Sequence, residues 1–406
     1  MRTTKRYAVR KSTGRGVSPL HTAVRCPAAA VSLCLAAAFM LSCGTTAAQS
    51  TMDAATLPAL QVGGEWQTGV YAAQTQGSWS GSVESVLRLK LQLGDYPWKL
   101  YADVGTTLGR VPGTDGDWTV TTELERAYLK IFLPWADLSL GKQQITWGVG
   151  YAWSPTDVFN PPNALGPDGL RPAVEAAVIR VPAGPLAYLS LVAARNERSS
   201  TQQGGRAAWQ CGARYHANYG GTDWSLAAVR DTGTTMVGVD AKGDLAVGDL
   251  ALGWHAEVAH HASHDGSNPW VEVVLGADRS WGGGKVVWAG EYFYNSRGAE
   301  TQDSCISTSR FAGDRAYAAR HYVFTQLTYQ HDEFSSVLGS VLANLVDRSA
   351  VLTAGTTILL GNRWTLSLSA TALAGRPGAE FTGGAIPGAS FSTPNVMLKA
   401  QAAYKF

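Results

Sequence analysis

The sequence predicts an all-β fold: a single transmembrane antiparallel β-barrel of about 16–18 strands, with an inward-folded constriction loop. Three observations predict it. Short segments along most of the chain alternate apolar and polar side chains, as strands with two different faces do. Charged residues make up only 16% of the 406 residues, whereas typical soluble domains contain about 25%. The chain also ends on an aromatic residue inside an alternating segment, Val396 to Phe406.

The N-terminus has the three parts of an export signal. Residues 1–26 hold seven Lys or Arg and no acidic residue, and the apolar run Pro27–Cys43 precedes a small-residue stretch that ends at Ala48. The run is shorter than the roughly 20 residues that a membrane helix needs. We therefore expect an export signal peptide over 1–48, a short periplasmic segment over 49–59 and the barrel over 60–406. Leu41-Ser42-Cys43-Gly44 resembles a lipobox, so lipidation at Cys43 is the alternative to cleavage after Ala48.

Removal of the signal changes the charge balance. The full chain has 33 Lys or Arg and 31 Asp or Glu, but the seven basic residues of the signal leave 26 against 31 in the mature chain. The apparent basicity therefore gives no reason to expect a nucleic-acid partner. Cys211 and Cys305 remain after cleavage, and no CxxC motif is present. We expect no disulfide framework, no metal site and no cofactor.

The predicted strands follow the alternating segments. In residues 87–93 four leucines share one face, while Arg88 and Lys90 lie on the other. The predicted strands begin near Gln61, Val83, Trp98, Thr122, Asp137, Ala173, Leu186, Ala207, Asp223, Thr235, Asp249, Val271, Lys285, Arg320, Ser335, Val351, Arg363 and Asn395. Residues 137–147, 173–181 and 335–346 have mixed parity. A secreted β-sandwich would also alternate, but the export signal, the aromatic residues at segment ends and the terminal Phe favour a barrel.

The last strand carries its own signal. Tyr404 and Phe406 share the apolar parity of Val396–Phe406. Such an ending resembles the C-terminal assembly signal of outer-membrane barrels, so we expect the barrel-assembly machinery to be a partner through this strand.

One long stretch breaks the alternation. Residues 148–172 contain five prolines and cannot form a ladder. Long loops in compact folds are usually functional or disordered, and the aromatics Trp147, Tyr151, Trp153 and Phe159 argue against disorder. The stretch therefore predicts an ordered loop with a function.

The segment GKQQITWGVGYAWSPTDVFNP, residues 141–161, resembles a motif of alginate-export-like and related outer-membrane channel barrels. The matching positions are Lys142, Gln143, Trp147, Gly148, Pro155, Asp157, Asn160 and Pro161. The resemblance covers about thirty residues beside the general barrel plan, and it implies a loop that folds into the barrel and narrows it. The predicted constriction residues are Trp147, Tyr151, Trp153, Pro155, Asp157 and Asn160. A structural plug is the alternative, in which Trp147 and Trp153 pack the wall. The chain lacks the dense arginine ladder expected of a polyanion exporter.

Parity also predicts which charges face the lumen. The basic candidates are Arg88, Lys90, Lys99, Arg126, Lys130, Arg214, Lys242, Lys285, Arg363, Lys399 and Lys405. The acidic candidates are Asp103, Asp223, Asp240, Glu257, Glu272, Asp278 and Glu291. This excess of basic residues predicts a mild anion preference, since rings of charge set channel selectivity.

A histidine-rich segment raises the possibility of a metal site. His255, Glu257 and His261 share the polar face, and His260 and His264 are close in sequence. Alternate strand residues stand well apart, so solvated histidines at the rim are the favoured interpretation. The chain contains no GxSxG, HExxH or P-loop motif, and we predict that it is not an enzyme.

The predicted function is passive or weakly selective diffusion of small solutes through a porin-like channel. The predicted location is the outer membrane of a diderm bacterium. The alternative is a closed barrel that acts through its surface loops as an adhesin or antigen. Expected partners are outer-membrane lipid, the assembly machinery and small-molecule solutes, and both a monomer and a homotrimer are compatible with the sequence.

Overall fold

The structure is a computed structural model that describes residues 60–75, 77–110, 118–162, 171–196, 208–248, 250–305, 317–382 and 395–406. The predicted export signal, Cys43 and the segment 49–59 lie outside the described residues. No helix among the described residues is long and apolar enough to cross a membrane.

Eighteen strands account for nearly all of the regular structure in the described ranges. They are β1 (Leu60–Thr75), β2 (Ser78–Leu93), β3 (Trp98–Arg110), β4 (Trp118–Leu133), β5 (Ala136–Gln143), β6 (Val174–Pro182), β7 (Ala187–Asn196), β8 (Ala208–Tyr219), β9 (Thr222–Arg230), β10 (Thr234–Val247), β11 (Leu250–Ser263), β12 (Trp270–Trp281), β13 (Val286–Asn295), β14 (His321–Gln330), β15 (Ser335–Asn344), β16 (Ala350–Leu360), β17 (Trp364–Ala374) and β18 (Val396–Lys405).

The strands form one closed antiparallel barrel. Each strand pairs with its neighbour in sequence, and β18 pairs with β1 from Glu65↔Lys405 to Gln74↔Val396. This confirms the predicted fold class and the upper of the predicted strand numbers. Closure leaves no sheet edge unpaired. β2 and β4 begin earlier than predicted, at Ser78 and Trp118.

The two ends of the barrel differ. At one end, which also holds Leu60 and Phe406, the connections between strands are two to four residues long. Gly220 and Gly221 form one of these turns with φ of 63° and 80°, values that a tight two-residue hairpin needs and glycine supplies without strain. At the other end, three long connections cover residues 144–173, 296–320 and 375–395. We call these the turn end and the loop end.

The outer surface is apolar and carries exposed tryptophans at both ends. Those at the turn end are Trp98, Trp135, Trp224, Trp281 and Trp364, and those at the loop end are Trp79, Trp118 and Trp209. Two such belts are typical of barrels that sit in a bilayer.

A β-bulge in β4 changes which residues face the lumen. The pairing of β3 with β4 shifts between Asp103 and Val104, so the successive residues Glu125 and Arg126 both point inward. Glu125 accepts a hydrogen bond from Arg88 Nε at 2.9 Å, and Arg126 Nε donates to Asp103 Oδ2 at 2.6 Å. The bulge therefore adds an acidic group that strict alternation would place outside.

The C-terminus completes the barrel wall. The backbone N–H of Gly64 donates to Phe406 O at 2.9 Å, and Phe406 N–H donates to Gly64 O at 3.1 Å. The Tyr404 ring packs against Trp364 with centroids 4.9 Å apart. The final residue is thus a paired part of the sheet.

Candidate constriction site

The connection between β5 and β6 folds into the lumen. From Gly150 to Asn160, nearly every residue is buried, and Tyr151 is the one exposed residue, at 50%. The buried residues of this connection pack against inward-facing residues of the barrel wall. We call residues 144–162 together with 171–173, the described part of this connection, the inner loop.

The tip of the inner loop is anchored on Glu257 of β11. This carboxylate is fully buried. It accepts hydrogen bonds from the backbone N–H groups of Val149 at 2.5 Å and Gly150 at 2.6 Å. Further donors are Ser154 Oγ at 3.0 Å, Thr156 N at 3.2 Å and Thr156 Oγ1 at 2.8 Å. A carboxylate with this many donors fixes the local backbone, because charge-assisted hydrogen bonds are the strong ones.

Glu291 of β13 holds the next residues of the tip. It accepts hydrogen bonds from the backbone N–H groups of Tyr151 and Ala152, the latter at 2.7 Å, and lies 2.7 Å from His255 Nε2. The Tyr151 hydroxyl donates to Asp278 Oδ1 at 3.1 Å, and its ring meets His255 edge-on. The exposed ring is therefore held in one orientation beside the wall.

The base of the inner loop closes on itself through Asn160 and Asp157. Asn160 Oδ1 accepts from Ile145 N at 2.6 Å, while its Nδ2 donates to Pro172 O. Asp157 accepts from Asn160 N at 3.0 Å and pairs with Arg171 Nη1 at 2.7 Å. Burial raises the pKa of Asp157 to about 7, although the Asn160 N–H and the Arg171 guanidinium act in the opposite direction.

Two glycines of the wall allow the inner loop to approach closely. A Cβ at Gly212 would lie 3.0 Å from the Trp147 ring, and one at Gly238 would lie 2.7 Å from Thr156 Cγ2. Trp147 and Phe159 meet edge-to-face at 5.0 Å above this part of the wall. The apolar cluster they join includes Ile145, Ala176, Val192, Ala194, Ala227, Val229, Met236 and Ala259.

Trp153 packs on the opposite side, against the other long connections. Its ring stacks on Phe293 at 5.2 Å and contacts Tyr317 and Tyr322. Phe381 belongs to the same buried cluster. The three long connections therefore share one apolar core at the loop end.

Glu380 fixes the loop that contains it to β14 and β15. It accepts hydrogen bonds from Ala318 N at 2.8 Å, Tyr322 OH at 2.6 Å and Asn344 Nδ2 at 2.7 Å. Burial raises the pKa of the Glu380 carboxyl. Cys305 Sγ and Asp347 lie beside it, with ligand atoms within 4.8 Å of one another, and burial raises the pKa of the Cys305 thiol to about 12. Cys211 is exposed on the outer face, away from Cys305.

The structure brings the six predicted constriction residues together in the inner loop, Pro155 being buried among them. Of the predicted lumen residues, those on inward-facing strand positions are Arg88, Lys90, Lys99, Asp103, Arg126, Lys130, Arg214, Asp223, Asp240, Lys242, Glu257, Glu272, Asp278, Glu291, Lys399 and Lys405. Arg363 and Lys285 instead lie in turns at the turn end, where Arg363 donates to Tyr404 OH at 3.0 Å.

The lumen is more acidic than the sequence predicts, and inward acidic residues outnumber inward basic ones among the described residues. Inward-facing acids that sequence reasoning missed are Glu65, Glu84, Glu123, Glu125, Asp137 and Asp244. Several basic side chains are paired with acids: Arg126 with Asp103, Lys130 with Asp137, and Arg214 with Asp240. The parity switch from Leu124 to Ala127 is the signal that could have revealed Glu125.

The histidines have separate partners. His255 pairs with Glu291, whereas His261 lies 3.3 Å from Glu272 and stacks on Trp270. His264 contacts Thr235 Oγ1 at 2.9 Å. His255 is therefore buried in the wall, not solvated at the rim as predicted, whereas His264 is exposed at the loop end.

A cavity of about 140 Å³ lies between the base of the inner loop and strands β4 to β8. Trp147 forms its loop side, and Lys130, Arg180 and Arg214 are its basic wall residues. Arg180 was absent from the predicted lumen set because residues 173–181 show mixed parity. Its guanidinium lies over the Tyr188 ring at 4.6 Å.

No family model matches the chain, and no curated protein matches it in sequence. Among solved structures, it is similar to the outer membrane protein OpdK of Pseudomonas aeruginosa, with 10% identity and a TM-score of 0.57, over 85% of this chain and 98% of that one. OpdK solved with vanillate gives 11% identity and 0.57, over 85% and 98%. A BenF-like porin from Pseudomonas fluorescens Pf-5 gives 10% identity and 0.58, over 86% and 98%. The chain therefore has the closed β-barrel fold of these solved outer-membrane porins.

Proposed function

We propose that the chain is an outer-membrane channel for diffusion of small solutes, narrowed by the inner loop. The observation that carries the proposal is the attachment of this loop inside a closed barrel through Glu257 and Glu291. The loop end faces the exterior, and the turn end with both barrel termini faces the periplasm, the arrangement that bacterial outer-membrane barrels share.

We also infer a mild preference for anions. Lys130, Arg180 and Arg214 lie around one cavity next to the inner loop, with Asp137 as the one carboxylate among its lining residues. OpdK, a neighbour with the same fold, was solved with vanillate, which supports a small solute rather than a polymer. The remaining lumen carries more acidic than basic residues, which limits any anion preference to a weak one.

Planar-bilayer recording tests the proposal. Residues 49–406 are refolded in detergent, checked for β-rich circular dichroism and added to a bilayer in salt. We expect discrete conductance steps, and larger steps after deletion of residues 149–162. A reversal potential in a salt gradient that indicates cation selectivity would contradict the anion preference. It would leave the proposed channel function in place.

The alternative function is a closed barrel that acts through its surface loops as an adhesin or antigen. The packing of Trp153, Phe293 and Phe381 into one buried cluster at the loop end favours it, because this cluster fills part of the mouth. A folded barrel that gives no conductance steps, with or without residues 149–162, would support this alternative.

A further inference from the structure

The cavity beside the inner loop is lined by both the loop and the barrel wall. Its lining comes from the loop base, including Trp147, and from the wall, including Lys130, Arg180 and Arg214. Its volume of about 140 Å³ is close to that of a designed cavity of roughly 150 Å³ that holds benzene. A ligand with one small ring, or a smaller ion with water, therefore fits between loop and wall.

Arg214 has an unmet hydrogen-bonding requirement at this cavity. Its side chain is 9% exposed. Nη2 donates to Asp240 Oδ1 at 3.0 Å and to Ser225 Oγ at 2.8 Å, but Nε is buried without an acceptor among the described residues. Buried guanidinium donors normally find an acceptor, because leaving one unpaired is costly. The Nε–H group of Arg214 is therefore available to donate to an acceptor atom of a bound ligand.

The charges around the cavity favour an acceptor that carries one negative charge. Lys130 lies 3.3 Å from Asp137 Oδ2, and Arg214 is balanced by Asp240. The Arg180 guanidinium lies over the Tyr188 ring. No carboxylate of the described residues lies within salt-bridge distance of it. One positive charge is therefore left in excess. Guanidinium groups bind planar oxyanions through paired N–H donors.

We propose that this cavity binds a small, singly charged oxyanion, which bridges Arg214 and Arg180 and holds the base of the inner loop against the wall. The shared chemistry is that of a carboxylate on a small solute or of a free inorganic oxyanion. Any effect of the bound anion on conductance rests on the proposed channel function. Binding of the anion to the cavity does not require conductance.

Isothermal titration of the refolded barrel, residues 49–406, measures the binding. The probes are sodium benzoate, sodium acetate and sodium nitrate at constant ionic strength, with benzamide as the uncharged analogue of benzoate. We expect saturable binding of at least one anion and at least tenfold weaker binding of benzamide. Binding of benzoate or acetate but not nitrate identifies a carboxylate ligand, whereas binding of nitrate alone identifies an inorganic oxyanion.

Two variants locate the site. Arg180→Gln removes the unbalanced charge from an exposed position, so we expect at least tenfold weaker anion binding. Arg214→Lys keeps a cation beside Asp240 but removes Nε–H, and we expect a similar loss with the barrel still folded. Lys242→Gln, also in the lumen but outside the cavity, is the matched control and should leave binding unchanged.

Equal affinity in wild type, Arg180→Gln and Arg214→Lys, or no saturable binding of any of the three anions, would overturn the proposal. Conductance steps without binding would leave the channel function in place. Binding without conductance steps would leave the anion site in place and count against the channel.

Discussion

The carboxylate of Glu257 accepts a hydrogen bond from the backbone N–H of Gly150 at 2.6 Å, across 107 positions of sequence. The same carboxylate accepts hydrogen bonds from Val149 and Thr156, so one buried side chain on β11 fixes the turn of the inner loop. The shape of the lumen at this level thus depends on a small number of acid-to-backbone contacts.

Glu257→Gln should release the tip of the inner loop. A glutamine offers one acceptor oxygen in place of two, and its NH₂ group faces N–H donors that it cannot pair with. Each buried group left unsatisfied costs about 1–3 kcal/mol of unfolding free energy. We expect larger and noisier single-channel conductance steps, together with a lower urea midpoint.

Glu272→Gln is the matched control for this change. Glu272 also faces inward, but its partner is His261 rather than the inner loop. Its conductance should equal that of the wild type. Identical conductance of Glu257→Gln and wild type would show that the loop position does not depend on this carboxylate.

Gly238→Val should displace the inner loop by steric conflict. Its Cβ would lie 2.7 Å from Thr156 Cγ2 and 3.0 Å from the backbone oxygen of Val258, which cannot move without distorting the sheet. Overpacking of this kind costs about 1–3 kcal/mol. We expect an altered conductance and reduced stability, measured by bilayer recording and urea unfolding.

Gly339→Val tests whether the effect is specific to the loop. Gly339 is a strand glycine on the outer face, and an added Cβ there meets nothing within 4 Å. This variant should conduct like the wild type. A Gly238→Val barrel with wild-type conductance would contradict close packing of Thr156 on β10.

The stability of the inner loop should depend on pH through Asp157. Burial raises the pKa of Asp157 to about 7 from an ordinary 3.8. The folded state therefore holds a proton that the unfolded state has lost, and this contribution is full below about pH 4 and declines until about pH 7. Its slope is at most about 1.4 kcal/mol of unfolding free energy per pH unit.

Urea unfolding of wild type and Asp157→Asn between pH 4 and 8 isolates this contribution, because other titrating groups are common to both. Asparagine keeps an oxygen for the Asn160 N–H but has no proton to lose. The decline in unfolding free energy from pH 4 to 7 should be smaller in Asp157→Asn. Parallel pH profiles would mean that Asp157 is ionised in the folded barrel throughout.

Barrel closure should depend on Gly64. A Cβ at this position would lie 2.5 Å from Arg88 O and 2.6 Å from the Phe406 ring, so Gly64→Val should push the last residue away from β1. Deletion of Phe406 removes both backbone hydrogen bonds to Gly64. We expect both changes to lower the refolded fraction, measured by the mobility of unheated samples in gels.

Gly81→Val is the control for closure. Gly81 belongs to the adjacent strand of the same hairpin, and its nearest neighbour would be Tyr71 O at 3.7 Å. Its refolding yield should match the wild type. If Gly64→Val refolds equally well, the contact between Gly64 and Phe406 has no part in closure.

The barrel could be predicted from the sequence because lipid and lumen impose opposite demands on alternate residues. Residues 87–93 show this cleanly: Arg88 and Lys90 face the lumen, and the leucines between them face outward. The mixed parity of residues 173–181 has a physical cause: Ala176 and Val178 of β6 face inward, but the inner loop covers them with apolar residues. Leu342 of β15 is covered in the same way by the cluster around Trp153.

The candidate site could be predicted only in part. The prolines of residues 148–172 and the motif of residues 141–161 predict an inward-folded loop, but no local pattern selects Glu257 and Glu291 as its anchors. Both are inward acids like Glu272, and only the three-dimensional path of the loop distinguishes them. The bulge at Glu125 differs, since the outward-facing Leu124 and Ala127 mark a change of parity that the sequence itself contains.

The distance in sequence between the inner loop and its anchors has a consequence for biogenesis. Residues 149–156 precede Glu257 and Glu291 by more than 100 positions, so the tip of the loop has neither carboxylate anchor until β11 and β13 have joined the sheet. The tip of the inner loop therefore takes its final position only after strands that are distant in sequence have been brought together.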